Sequence, residues 1–260
     1  MAVVTAACEW GPRTRAPRAP PARPPPAPPT PATPPPPRRE ALPGDDKVVY
    51  LMRHGETEMN VWLRDFRAAN GPAAVVDLRN DPRLYDTRLT ARGIAGARAR
   101  RGAVAALDPR PEVVLVSPLS RALHTAELAF ARVPDVPRRV EPLATEKLWH
   151  SSDVGSTRAE LHAEWGDRYD VSHLDDVWWY TGGTGDPRAI VDEPEADFHP
   201  RMERLRRAVA ARPERAVAVV CHWGVIHALT GEAFDNCEMR KFRLSDLKAR
   251  PLPPWEHTSD

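Results

Sequence analysis

The sequence predicts an α/β fold of three layers, with a mostly parallel central sheet and helices on both of its faces. Two observations predict it. Short β-branched runs at residues 48–52, 113–116 and 217–221 are apolar at nearly every position, as strands buried on both faces must be. Helical patterns lie between these runs, and strands that alternate with helices build parallel sheets. Length agrees, because setting aside a Pro-rich head leaves roughly 215 residues, enough for one substantial core.

The head runs over residues 1–45, and its first 43 residues hold half of the chain's 30 prolines, with Glu9 and Glu40 as their only acids. Ala, Pro and Arg alternate there without hydrophobic periodicity. Such a composition buries too little apolar surface to offset the entropy of ordering, and it predicts a disordered extension, partly polyproline II. It is Arg-rich and acid-poor like a plastid or mitochondrial transit peptide, but poor in Ser, so a plain extension of an intracellular, cytoplasmic protein is an equal reading.

A single domain is expected over residues 46–248. Its first strand, 48–52, runs into Arg53-His54-Gly55. Thr90 caps a long helix over 91–107, and the strand at 113–116 feeds a helix over 120–131. Residues 167–194 are irregular and contain Trp178-Trp179-Tyr180 and a Gly-rich stretch, so a cap segment is expected around 144–200. Phe198, Met202, Leu205 and Val209 share one helical face, in which Pro200 is tolerable only in the first turn. The strand at 217–221 ends at His222, residues 240–244 suggest a last strand, and a tail follows over 249–260.

Composition excludes several classes. The formal net charge is +1 and no basic stripe lies outside the head, so nucleic acid is not the expected partner. No segment reaches the roughly 20 apolar residues of a membrane span. Cys8, Cys221 and Cys237 have no disulfide or zinc spacing, which fits a reducing interior and no metal centre. No cofactor is implied, and oligomeric state cannot be read.

The chemistry collects at strand ends. In open α/β sheets ligands bind at the carboxyl ends of the strands. Arg53 and His54 stand at the first such end. A neutral imidazole can attack phosphorus while guanidinium groups hold the non-bridging oxygens. Alone, that pair is as well explained by surface ion pairing. Arg121, however, opens the helix after the second strand, where a bound anion would gain from the helix terminus as well. His222 ends the third strand. His227, a turn further on, reads as packing.

Taken together, Arg53-His54-Gly55-Glu56-Thr57 with Asn60, Leu89-Thr90-x-x-Gly93, Ser117-Pro118-Leu119-x-Arg121-Ala122-x-x-Thr125-Ala126 and Val220-Cys221-His222-x-Gly224-Val225 resemble the phosphoglycerate-mutase-like branch of the histidine phosphatases. The resemblance spans about residues 47–244 in matching order. It implies that His54 accepts a phosphoryl group and water later removes it, without a metal. It further implies that Arg53, Asn60, Arg121 and His222 bind the phosphoryl oxygens, with His222 also catalytic. An acid should protonate the leaving alcohol. Glu146, in Leu143-Ala144-Thr145-Glu146, matches that position, and Asp153 is its competitor.

The chain also departs from the family pattern. Gly96 replaces a frequent Gln, and the bulky Trp223 follows the second histidine, narrowing the pocket. The segments that hold a three-carbon bisphosphate in mutases are not recognisable. A metal-independent phosphomonoesterase acting on a small soluble phosphate ester is therefore the leading expectation. A phosphoglycerate mutase is the alternative within enzymes, and a catalytically silent phospholigand-binding scaffold is the alternative outside them. Trp178 and its neighbours either line the pocket mouth or pack the cap.

Overall fold

The computed structural model describes residues 47–71 and 74–252. The Pro-rich extension expected over 1–45, with its transit-peptide reading, lies outside the described residues, as does residue 253 onward of the expected tail.

Five strands form one sheet in the order β3-β2-β4-β1-β5: β1 Val48–Arg53, β2 Val113–Val116, β3 Arg138–Val140, β4 Ala216–Cys221 and β5 Met239–Arg243. All neighbours are parallel except β5, which runs antiparallel to β1 at one edge. Four of these strands lie where the sequence predicts them. The fifth, β3, is a three-residue strand, Arg-Arg-Val, too short and too polar to leave a hydrophobic signature.

Side chains alternate across the sheet, and so each buried strand feeds two cores. Tyr50, Met52, Val114, Val116, Ala218 and Val220 face one side, where they meet Ala97 of α2 (Ala91–Ala99) and Leu123, Ala126 and Ala129 of α4 (Ser120–Ala129). Val49, Leu51, Val113, Leu115, Val217 and Val219 face the other. There they meet Phe198, Met202, Leu205 and Val209 of α6 (Glu195–Ala211) and Val225, Ile226 and Leu229 of α7 (Trp223–Thr230). Both faces being covered explains why β1, β2 and β4 carry no polar alternation.

Two helices depart from expectation. The helix predicted over 91–107 breaks at Arg100, where the chain turns and resumes as α3, Arg101–Ala105. The Arg100 amide reaches back only three residues, to Ala97, and the weak helix former Gly102 follows at once. Pro200 is the sixth residue of α6 rather than part of its first turn. Pro200 and Ala196, whose carbonyl loses its helical partner, are both exposed, so water can satisfy that oxygen.

Helix α1, Glu58–Asn70, starts with a reciprocal cap between Thr57 and Asn60. A short helix α5, Arg158–Trp165, precedes the irregular cap residues. No helix among the described residues is long and apolar enough to cross a membrane.

Candidate active site

Strand register assembles the site. Met52 and Val116 both pair with Val220, so β1, β4 and β2 run out at one level and deliver Arg53-His54, Cys221-His222 and Ser117 to the same edge. The His54 amide then donates to the Cys221 carbonyl, at 3.0 Å, and ties the first loop to the central strand.

His54 is buried, and its Nδ1 lies 2.8 Å from the carbonyl of Gly55. A carbonyl only accepts, so the proton is on Nδ1 and the lone pair on Nε2. Burial is the main cause that holds this imidazole well below its ordinary pKa, with the charges of Arg121 and Arg53 next. The ring is accordingly neutral at physiological pH, the form that can attack phosphorus.

Arg121 is held by three acceptors. Its Nη1 donates to the Ser152 carbonyl at 2.5 Å, its Nη2 to Asp153 Oδ1 at 2.8 Å, and its Nε to His222 Nδ1 at 3.3 Å. A guanidinium has five N–H groups, so one remains on each terminal nitrogen, a fork suited to two oxygens of one anion. His222 receives that Nε–H on Nδ1, and its Nε2–H therefore donates to Ser117 Oγ, at 2.7 Å. His222 is also held well below its ordinary pKa, first by burial and then by Arg121. The two histidine rings stand 5.1 Å apart.

Asn60 has its side-chain oxygen turned to the helix cap, where it accepts from the Thr57 amide and hydroxyl at 3.1 and 3.0 Å. Its amide nitrogen has no partner among the described residues. Arg53 donates from Nη1 to the Phe234 carbonyl at 2.8 Å. Both residues line the same cleft as His54 and Arg121.

The two candidate acids are held differently. Asp153 is fully engaged, because Oδ1 takes Arg121 and Oδ2 takes the amides of Trp149 and His150 at 3.2 and 3.0 Å. Glu146 accepts from the Lys147 amide at 2.9 Å and the Gly224 amide at 3.0 Å, the second at the start of α7. Burial, and then the negative charge of Asp153, push its pKa up to about 7, against the opposing pull of those two amides. Gly224 is needed for this approach, since a Cβ there would stand 2.4 Å from Glu146 Oε1.

Met59, Leu63 and Arg67 follow one stripe of α1 along the cleft, and Trp149 and Trp223 join them in its lining, their rings 6.3 Å apart. The sequence reading missed all of these but Trp223, and it also missed the Ser117 bond to His222. A stripe of i, i+4, i+8 in α1 was the available signal. Trp178 and Trp179 are elsewhere. They pack with Leu148, Val154 and Ile190 and, with Tyr180, line a second cavity. Glu146 is the one residue common to the linings of that cavity and the cleft. His227 stacks on Trp223 at 4.8 Å, a packing role as expected.

The sequence profile of the histidine phosphatase superfamily (branch 1) matches residues 49–250. No curated protein matches the chain. Among solved structures, the ecdysone phosphate phosphatase of Bombix mori in complex with tungstate is 18% identical. The match covers 82% of this chain and 96% of that one, at a TM-score of 0.50, and shows the same fold. An alpha-ribazole phosphatase from Shigella flexneri is 23% identical over 82% of this chain and 99% of its own, at a TM-score of 0.45. A mycobacterial glucosyl-3-phosphoglycerate phosphatase is 23% identical over 75% and 89%, at a TM-score of 0.44.

Proposed function

The chain belongs to the histidine phosphatase superfamily, and from that premise we propose that it is a metal-independent phosphomonoesterase acting on a small phosphate ester through His54. The observation that carries this reading is the protonation state of His54. Its Nδ1–H is committed to the Gly55 carbonyl, so a neutral ring offers Nε2 to the cleft.

In the first step a bond forms between His54 Nε2 and phosphorus as the ester P–O bond breaks. The two uncommitted N–H groups of Arg121, the Arg53 guanidinium and the Asn60 amide stabilise the charge that spreads over the phosphoryl oxygens. His222 acts chiefly on Arg121, by accepting its Nε–H, and can donate to a phosphoryl oxygen itself only by releasing Ser117. We assign the leaving-group proton to Glu146 rather than Asp153, because Asp153 is spent on Arg121 and two backbone amides. In the second step the Glu146 carboxylate takes a proton from the water that attacks phosphohistidine, and phosphate leaves.

Met59, Leu63, Trp149 and Trp223 make part of the remaining wall apolar, with Arg67 beside them, which suits an alcohol with an apolar or aromatic portion. The relatives' names, all phosphatases acting on different esters, agree with the reaction and leave the alcohol open.

The test is release of inorganic phosphate from a panel of esters in the presence of a chelator. The expected result is steady release without an isomerised product, lost in His54→Ala. Isomerisation without net release would make the protein a mutase. No turnover on any ester would make it a binding protein. Activity retained by His54→Ala would sink the nucleophile assignment.

A further inference from the structure

Arg201, on α6, lies outside the phosphate cleft and no step above uses it, yet its five N–H groups meet five acceptors. Its Nη1 donates to the carbonyls of Leu143 and Thr145 at 3.1 and 2.6 Å, and its Nη2 to the carbonyl of Glu146 at 3.2 Å. Its Nε and Nη2 also form a fork on the two carboxylate oxygens of Glu193, at 3.0 and 2.6 Å. Glu193 is 3% exposed and continues the grip, taking the Leu148 amide on Oε2 at 3.3 Å while its own amide donates to the Leu148 carbonyl at 2.9 Å. The ring of Phe198 lies 4.8 Å from the guanidinium and covers it.

The segment so gripped, residues 143–148, has no regular ladder of its own beyond one 3-10 turn at Pro142–Ala144. Glu146 is at its centre. A partly buried guanidinium with every N–H group committed is a costly way to anchor a loop, unless the position of that loop matters. The charge is matched to Glu193, so the clamp brings no net charge to the back of the acid.

We propose that Arg201 and Glu193 are positioning residues for proton transfer, a clamp that sets where the Glu146 carboxyl stands relative to the leaving oxygen. A carboxyl displaced by an ångström loses much of its advantage as a donor, while nucleophilic attack by His54 on an ester that needs no proton is untouched. The inference rests on the reading of Glu146 as the acid.

The experiment compares kcat/KM, which reports only the steps up to release of the alcohol and so leaves out hydrolysis of phosphohistidine, for nitrophenyl phosphate, whose leaving group needs no proton, and for a simple alkyl phosphate. It uses Arg201→Lys, Glu193→Gln, Glu146→Gln and the double variants that combine each of the first two with Glu146→Gln. Lysine keeps the charge opposite Glu193 but cannot span three carbonyls. Each clamp variant is expected to lose about tenfold or more on the alkyl ester, to stay within about twofold on nitrophenyl phosphate, and to lose nothing further when Glu146 is already Gln. Equal losses on the two esters would make Arg201 and Glu193 ordinary structural residues and overturn the proposal. A full additional loss in the double variants would do the same. If Glu146→Gln itself slows both esters equally, the acid assignment falls first and the clamp with it. Glu193→Gln keeps the question answerable should the lysine variant fail to fold.

Discussion

His54 and Glu146 are driven in opposite directions by the same burial. Loss of water disfavours the charged form of each, so the imidazole stays neutral while the carboxyl keeps its proton to about pH 7. Both are then in the state the first step needs at neutral pH. Below pH 7 Glu146 is protonated and competent as a donor. As pH rises through about 7 the donor form is lost, and kcat/KM on an alkyl ester should fall about tenfold per pH unit beyond it. In Glu146→Gln that descending limb should vanish, and its persistence near pH 7 would assign it to another group. The acidic limb set by His54 should lie well below its ordinary pKa. At this scale the sequence was legible for Arg53, His54, Arg121 and His222, because topology alone brings them to one edge. It was not legible that Ser117, Ser152 and Asp153 hold His222 and Arg121 in place. Their part is a single long-range hydrogen bond each, and no periodicity records that.

At the scale of elements the site depends on how closely its first loop meets α2. A Cβ on Gly93 would lie 2.1 Å from the Glu56 carbonyl oxygen, and one on Gly55 would lie 2.8 Å from the Gly93 carbonyl oxygen. These are backbone atoms that cannot swing aside, and the Glu56 carbonyl also accepts from the Thr90 amide at 2.9 Å. Gly93→Ala should therefore cost about 2 kcal/mol or more of stability. Gly102→Ala should act in the other direction, because a Cβ there meets only Arg132, at 4.0 Å, within an exposed helix, and the gain should approach about 1 kcal/mol. Urea unfolding midpoints of the two variants give both signs. The Leu89-Thr90-x-x-Gly93 step could be read as a cap in the sequence, since capping is a local rule. That its glycine is there to admit another loop could not be read locally. The break at Arg100 was hidden by the Ala and Arg on both sides of it, which are good helix formers, and the short β3 by its polar Arg-Arg-Val sequence.

For the molecule as a whole, one sheet divides two cores, and each strand contributes alternate side chains to both. Leu123 on one side and Leu205 on the other are almost wholly buried, and neither core has a sheet of its own. Leu123→Ala and Leu205→Ala should each cost about 2–5 kcal/mol. Each should shift a single transition seen alike by circular dichroism and tryptophan fluorescence. Two separated transitions would mean that the layers unfold independently. The all-apolar strands made this architecture legible in the sequence, but the order of strands was not, since parallel runs of valine can be arranged in many ways. That order has a consequence for synthesis. The middle strand, Ala216–Cys221, is the fourth to be made, and the strands on either side of it precede it by much of the chain. A growing chain that stops short of Ala216 holds β1 and β2 with a gap between them, two bare edges and half a phosphate site. Insertion of β4 closes the gap, shields the two edges that face it and brings His222 beside His54, and β5, made last, then covers the outer edge of β1. The gap in the sheet and the absence of activity should therefore end in the same event.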